Sequence, residues 1–305
     1  MSSPTRVWFI TGASSGLGLN TALGALRSGD RVIGTGRNIK KAAEETPEFE
    51  KLGGQWLQLD VTDSSAQATI EDAVKREEKR LGQTGPVHWV VVNNAGYAII
   101  GSAEEASEDK ISEYFDANVF GAIRVWKALI PTLRRHKTGT LVTLSSYMSV
   151  LNKPEQMLYC SVKSALASLA ESYADLLAPF GVRSLIIEPG GFRTKFVGNI
   201  MTTDGPAVED YKQKIDAWKG IIQYVVQNPE AVSGDPERYG PVVVDAVKGK
   251  GLFEEIWANH DAGKALHVPL GSDSYDILGN KYKEWAAGVS KMADVAKLTD
   301  AAKEK

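Results

Sequence analysis

The sequence has a single cysteine and no long hydrophobic run. Across its 305 residues the only cysteine is Cys160, which excludes a disulfide within the chain and fits a reducing compartment. No stretch approaches the roughly 20 apolar residues that a membrane span requires, and no signal peptide is apparent. We therefore expect a cytoplasmic protein that does not enter a membrane.

An excess of one charge and a cluster of histidines are also missing. The formal net charge is −3, which gives no reason to expect nucleic-acid binding. The four histidines are scattered and none has a partner at metal-ligand spacing, so we expect no metal site. Hydrophobic residues at 43% and charged residues at 24% are typical of a soluble globular protein.

Short apolar runs alternate with longer helical patterns along the chain. The predicted strands are Val7–Ile10, Arg31–Thr35, Trp56–Leu59, Trp89–Val92, Thr140–Leu144, Arg183–Ile187 and Leu266–Pro269. The predicted helices are Leu17–Ser28, Ser64–Arg80, Ile111–His136, Glu155–Ala178 and Pro236–Val247. The strands are nearly all apolar, as in a parallel sheet buried on both faces. The pattern predicts an α/β fold, a doubly wound (Rossmann) parallel sheet of about seven strands with helices on both faces.

We expect residues 1–305 to form a single domain. Residues 192–235 contain no clear strand, and we interpret them as a helical insertion that covers the sheet edge. Residues 272–300 or so are expected to form one or two terminal helices, followed by a charged tail that ends at Lys305.

A glycine-rich turn lies between the first predicted strand and the first predicted helix. Small residues there let the backbone approach a phosphate, and the helix N-terminus offers free N–H groups to the anion. Although glycine-rich turns are common, this setting favours a dinucleotide site. The predicted cofactor-binding residues of the turn are Gly12, Ser14, Ser15, Gly16, Leu17 and Gly18.

The second strand ends without the acidic residue that holds the adenosine ribose when the cofactor is NAD. Gly36 and Arg37 stand there instead, and arginine can pair with a 2′-phosphate through a forked, charged contact. The sequence therefore predicts NADP(H). The alternative is that Arg37 is a solvated surface arginine.

Polar residues also follow other strands at the edge where ligands bind in open α/β sheets. Asp60 and Val61 follow the third strand and are placed to meet the adenine amino group. Asn94, Ala95 and Gly96 follow the fourth. A plain turn is the alternative for each group.

Tyr159 and Lys163 are four residues apart on a predicted helix and so share one face. A lysine charge favours the phenolate and lowers the tyrosine pKa, which brings proton exchange within range near neutral pH. This pair alone occurs by chance in many helices. Ser146, at the end of the fifth strand, is placed to stabilise charge on a substrate oxygen. Asn118 is an unusual polar residue in an apolar helix, interpreted either as a holder of a water linked to Lys163 or as a kinked position.

Together these motifs resemble the short-chain dehydrogenase/reductase family, compact single-domain branch, over about residues 5–195. The resemblance implies that Tyr159 is the general acid/base, that Lys163 lowers its pKa and binds the nicotinamide ribose, and that Ser146 polarises the carbonyl. Asn118 would anchor the proton relay. The nicotinamide end would be lined by Pro189, Gly190, Phe192 and Thr194.

The family resemblance also bears on assembly and on the C-terminal part. Members commonly pair the helices that correspond to 111–136 and 155–178, so a homodimer or homotetramer is expected. The segments 234–236 and 268–273 resemble microbial and fungal members with a longer C-terminal portion.

The leading prediction is an NADP(H)-dependent oxidoreductase that acts on a small-molecule carbonyl/alcohol pair. Apolar residues of the insertion suggest a bulky apolar substrate, although core packing explains them equally well; they are Phe196, Met201, Trp218, Ile222 and Tyr224. One alternative is a cofactor-binding regulator without turnover, against which the complete set of four catalytic residues argues. Another is an isomerase or dehydratase that uses the same tyrosine; these enzymes usually have a glycine where this chain has Ser15.

Overall fold

The computed structural model describes residues 5–82 and 85–301, so the predicted charged tail at Lys303–Lys305 lies outside the described residues. The strands of this part of the chain are β1 (Thr5–Ile10), β2 (Arg31–Gly36), β3 (Gln55–Gln58), β4 (Val87–Asn93), β5 (Ile99–Ile100), β6 (Gly139–Leu144), β7 (Val182–Pro189), β8 (Met201–Thr202) and β9 (Leu266–Leu270). Seven of them form the main parallel sheet, in the order β3-β2-β1-β4-β6-β7-β9. The predicted doubly wound α/β sheet is confirmed.

Helices cover both faces of this sheet. The helices of the described residues are α1 (Gly16–Arg27), α2 (Ile39–Glu45), α3 (Pro47–Lys51), α4 (Ala66–Leu81), α5 (Glu108–Phe115), α6 (Gly121–His136), α7 (Met148–Leu151), α8 (Met157–Leu177), α9 (Glu209–Gln227), α10 (Pro236–Lys248), α11 (Phe253–Ala258), α12 (Ser272–Ser290) and α13 (Ala293–Lys297). Within the described residues, no helix is long and apolar enough to cross a membrane.

Two apolar cores, one on each face, explain why the central strands do not alternate with polar residues. Phe9 and Trp89 pack into the core shared with α4, α6 and α8. Trp8 and Val90 point to the opposite face and pack with α1 and α10. Because parallel strands between two helical layers are buried on both sides, every position favours an apolar residue.

The predicted continuous helix Ile111–His136 is wrong in its middle. α5 and α6 are separated by a π-helical turn, Asp116–Phe120. Asn118 Nδ2 donates a hydrogen bond to the Tyr114 carbonyl at 2.9 Å, so a side chain enters the backbone ladder at the point where the helix widens. A periodic apolar pattern does not reveal such a turn, because the face that is buried continues through it.

The insertion at 192–235 is largely helical, as predicted, through α9. The expectation that it holds no strand is wrong, because β8 pairs in parallel with β5 in a separate two-stranded sheet. Asp204 also accepts hydrogen bonds from the backbone N–H of Ser107 at 2.9 Å and from its hydroxyl at 2.7 Å. These contacts attach the insertion to the segment that follows β5.

Candidate active site

A cleft of about 1200 Å³ opens at the carboxyl ends of the parallel strands. The sheet order reverses between β1 and β4, and a crevice forms outside the strand ends at such a point. The turn after β1, the end of β2, the loop after β4 and the N-terminal half of α8 all reach this cleft.

The glycine-rich turn is bound tightly to the end of β4. Gly12 and Gly16 have φ of +63° and +58°, a region that favours glycine. Asn94 Nδ2 donates to the carbonyls of Thr11 at 2.8 Å and Gly12 at 3.0 Å. The Thr11 hydroxyl in turn accepts from the N–H groups of Asn94 and Ala95, both at 3.0 Å. The turn therefore has a fixed shape.

The same turn fits the phosphates of a nicotinamide dinucleotide. The N-cap of α1 is Ser15, whose side chain makes no capping hydrogen bond, so the first N–H groups of the helix are free to meet an anion. A Cβ atom added to Gly12 would lie 3.0 Å from the Ala95 Cα, so the backbone packs here without room for a side chain. Arg37, exposed at the end of β2, borders the same cleft.

Gly18→Ala is expected to destabilise the protein by about 1–3 kcal/mol and to weaken dinucleotide binding. The new Cβ would overlap the Asn94 amide and the Gly12 carbonyl, which form the turn. Urea unfolding and dinucleotide titration measure the two effects. Gly279→Ala is the matched control, because a Cβ at that position of α12 meets nothing within 4 Å. Equal effects of both changes would contradict the close packing assigned to Gly18.

The predicted tyrosine, lysine and serine border the same cleft. Tyr159 and Lys163 lie in α8, are buried, and line the cleft beside Ser146. Lys163 Nζ donates to the Leu144 carbonyl at 2.7 Å and lies 5.7 Å from the centre of the Tyr159 ring. The Ser146 hydroxyl accepts from the Met148 N–H at 3.2 Å, which orients its oxygen.

Burial dominates the protonation of this group. It raises the pKa of Tyr159 well above its usual range, while hydrogen bonding with the Ser146 side chain acts in the opposite direction. Burial also lowers the pKa of Lys163 to about 8. Desolvation outweighs the other influences on the phenol, and the Lys163 ammonium donates to the Leu144 carbonyl. That Lys163 lowers the pKa of Tyr159 stays a prediction.

Asn118 is buried next to the cleft rather than in its wall. Its Nδ2 donates to the Tyr114 carbonyl, and its Oδ1 accepts from the Tyr97 N–H at 3.2 Å. Both ends of the side chain are therefore used inside the protein. This arrangement fits the interpretation of a kinked helix position, because the side chain bonds the backbone where the helix widens. The role of Asn118 in a proton relay stays a prediction.

Most of the other predicted residues border the cleft. Gly18 is buried behind the turn and, like Asn118, does not border it. Those that do are Gly12, Ser14, Ser15, Gly16, Leu17, Arg37, Asp60, Val61, Asn94, Ala95, Gly96, Pro189, Gly190, Phe192 and Thr194.

Several polar residues of the cleft were not identified from the sequence, among them Tyr147, Gln156 and Asp273. Tyr147 follows Ser146 directly, and Gln156 lies one helical turn before Tyr159, so adjacency could have indicated both. Asp273, from the start of α12, carried no such signal because it is far from the other site residues along the chain.

Comparison with known proteins places this geometry in a family. The family model described as short chain dehydrogenase matches residues 6–205. Oxidoreductase BOA17 of Botryotinia fuckeliana is 35% identical over 274 residues, which cover 88% of this chain and 96% of that protein. Human 17-beta-hydroxysteroid dehydrogenase type 1 is 31% identical over 243 residues, 74% of this chain and 71% of that protein. The solved structure of a short-chain dehydrogenase from Streptomyces avermitilis superposes with a TM-score of 0.79 at 30% identity and covers 98% of this chain and 100% of its own. The motifs, the sheet order and these matches agree, and the chain belongs to the short-chain dehydrogenase family.

Proposed function

We propose that this protein is an NADP(H)-dependent oxidoreductase that acts on a bulky, apolar carbonyl/alcohol pair. One observation carries the proposal: Ser146, Tyr159 and Lys163 border the same cleft as the glycine-rich turn. Ligands in this fold bind along the carboxyl ends of the strands. A dinucleotide that binds the turn with its phosphates and lies along this edge has its reactive end near these side chains. The coenzyme, when bound, supplies or accepts the hydride.

The side chains supply proton transfer and charge stabilisation. The Ser146 hydroxyl donates a hydrogen bond to the substrate oxygen, and the Tyr159 phenol gives that oxygen its proton. The phenol is protonated near neutral pH, as an ordinary tyrosine is, so it can give its proton in reduction and must first lose that proton to act as a base in oxidation. Lys163 binds the ribose next to the nicotinamide, and its positive charge supports the phenol as it releases the proton.

The apolar side of the cleft supports a bulky substrate. Trp218 packs against the cluster that contains Tyr159, Met148 and Ala98. Other apolar residues of the insertion border the cleft as well, namely Phe196, Val197, Ile200, Met201, Ile221, Ile222 and Val225. Tyr224, which the sequence grouped with them, is 59% exposed and does not border it. The human relative is named for a hydroxysteroid, a molecule of this bulky, apolar class.

We also propose that the protein forms a homodimer or homotetramer through α6 and α8. Its proposed location is the cytoplasm. Phe120, directly before α6, and Leu176, near the end of α8, are 50% and 64% exposed, respectively. Large apolar side chains at these positions would be covered by a second copy of the chain.

Arg37→Ala is expected to weaken NADPH binding about 10-fold to 100-fold and to leave NADH binding within about twofold, because only NADPH carries the 2′-phosphate that the guanidinium meets. Fluorescence titration with each coenzyme measures this. Arg76→Ala, on the exposed surface of α4, is the control for loss of one positive charge. Equal losses for both coenzymes, or a preference of the unmodified protein for NADH, would sink the NADP(H) assignment.

The test of the whole proposal is an NADPH-oxidation screen against ketones, quinones, steroids and aldehydes. We expect consumption of NADPH with at least one bulky ketone and little with NADH. Binding of NADPH without consumption across the panel would favour the alternative of a cofactor-binding regulator. Conversion of a substrate without net change in NADPH would indicate an isomerase or dehydratase.

A further inference from the structure

Gln156 places an amide without a hydrogen-bond partner in the cleft. The side chain borders the cleft and is only 4% exposed. Neither its amide oxygen nor its amide nitrogen bonds any of the described residues. Neither atom is enclosed by protein, so the small exposed surface of the residue includes both of them. The amide is therefore open to a molecule that binds in the cleft.

The backbone that carries this side chain is fixed. Gln156 ends the 3₁₀ turn Pro154–Gln156, and its N–H donates to the Lys153 carbonyl at 3.0 Å. The carbonyl of the preceding residue, Glu155, accepts from the N–H of Gly101, just after β5, at 3.0 Å. The amide is thus held on a rigid base, as a group that selects a ligand requires.

The position of Gln156 beside α8 favours contact with the substrate over contact with the coenzyme. Gln156 lies three residues before Tyr159, and Lys163 lies four residues after it. Residues at these spacings are neighbours on one helix face, so the amide and the ammonium lie on opposite sides of the phenol. The ammonium meets the Leu144 carbonyl at the end of β6, whereas the turn that carries Gln156 packs against α9. The amide therefore belongs to the side of the cleft that the insertion covers.

The cleft walls on this side are apolar. From α9, Trp218, Ile222 and Val225 border the cleft, and Trp218 packs against the cluster of Tyr159 and Met148. An apolar molecule that fills this space displaces the water that meets the amide, and a polar group buried without a partner is costly. A ligand that brings an oxygen to the amide avoids this cost. The free amide therefore selects against a substrate whose remaining surface is purely hydrocarbon.

We propose that the Gln156 amide forms a hydrogen bond with a second oxygen of the substrate, separate from the carbonyl that reacts. The inference rests on the proposed function and narrows its substrate class to a bulky apolar carbonyl compound that also carries a hydroxyl. An amide offers both a donor and an acceptor, and a hydroxyl can use either. Gln156 is a binding residue in this role and takes no part in proton transfer.

Gln156→Met tests the inference because methionine keeps the length of the side chain and removes both polar atoms. Gln213→Met, on the exposed surface of α9 outside the cleft, is the matched control. The ligands are ring-hydroxylated and ring-methylated derivatives of 1-tetralone, matched position by position. Steady-state kinetics with NADPH measure kcat/KM, and calorimetry in the presence of NADP⁺ measures the affinity for each ketone without turnover.

The unmodified protein should favour the hydroxy ketone over the methyl ketone about tenfold in at least one matched pair. Gln156→Met should lower that preference about tenfold, and Gln213→Met should keep it. Comparison of the same pair in two proteins cancels the intrinsic reactivity of each carbonyl. A hydroxyl preference that survives in Gln156→Met overturns the proposal, because another polar group then binds the hydroxyl. Equal treatment of the members of every pair overturns it as well.

The unmodified protein alone decides the question if the variant fails to fold. Apolar walls without a free polar group would favour the methyl ketone at every position, and that result overturns the proposal. Failure of the proposed function has a different signature, since the unmodified protein would then oxidise NADPH with none of the ketones. The calorimetric comparison does not depend on turnover and still supports or overturns the role of Gln156.

Discussion

Tyr159→Phe is expected to lower NADPH-dependent carbonyl reduction about 10³-fold, because the variant lacks the phenolic proton while its ring remains. The ring packs with Met148 and Cys160 and lies 6.3 Å, between ring centres, from Phe196. Phenylalanine preserves these contacts, so the cleft should keep its shape. We expect the affinity for NADPH to change by no more than about twofold, since removal of one hydroxyl leaves the glycine-rich turn intact.

Two measurements separate a chemical from a structural effect of this change. Single-turnover kinetics should show the loss in the chemical step, and fluorescence titration should show retained NADPH binding. Tyr224→Phe is the matched control, because it removes the same atom from a tyrosine that is exposed on α9 outside the cleft. Turnover of Tyr159→Phe near that of the unmodified protein would exclude Tyr159 as the proton donor. Loss of NADPH binding would instead indicate a collapsed cleft.

The sequence predicts this site well where position along a strand determines position in space. The parallel strands all end at one edge, so Ser146 after β6, Asn94 after β4 and Arg37 after β2 must converge. Tyr159 and Lys163 share a face of α8 for the same kind of reason, because four residues make about one helical turn. Local periodicity and topology suffice for these residues.

Contacts between distant segments are what the sequence did not reveal. Asp273 reaches Gly191 across the space between β7 and α12, and no periodic pattern links the two. β8 pairs with β5 through only two residues, too short a run to stand out from a loop. The π-helical turn at Asn118 depends on a side chain that bonds its own backbone, which an apolar pattern does not encode. The balance of burial against hydrogen bonding with Ser146 at Tyr159 likewise requires knowledge of the packed site.

Lys163→Met is expected to lower turnover about 10²-fold at neutral pH, because the site loses a buried positive charge next to the phenol. It is also expected to change how stability depends on pH. The pKa of Lys163 falls from its ordinary value of 10.5 to about 8 in the folded protein, because the ammonium is buried. Below pH 8 the lysine is protonated in both states, so the folded protein bears the full cost of burying the charge.

Between about pH 8 and 10.5 the unfolded chain still binds a proton that the folded protein has released. Stability contributed by Lys163 therefore rises with pH through this window. The full gain is about 3 kcal/mol, since one pKa unit corresponds to about 1.4 kcal/mol. The methionine variant lacks this gain. Titrating groups remote from Lys163 are common to both proteins and cancel in the comparison.

Urea unfolding of both proteins at pH 7 and pH 10 measures the effect. The free energy of unfolding of the unmodified protein should increase relative to that of Lys163→Met by most of the 3 kcal/mol gain expected from the pKa shift. A constant difference, such as loss of the hydrogen bond to the Leu144 carbonyl, contributes equally at both pH values. A relative stability that does not change with pH would mean that Lys163 is not held as a buried charge. In that case the charge invoked beside Tyr159 would lose its physical basis, even if turnover fell.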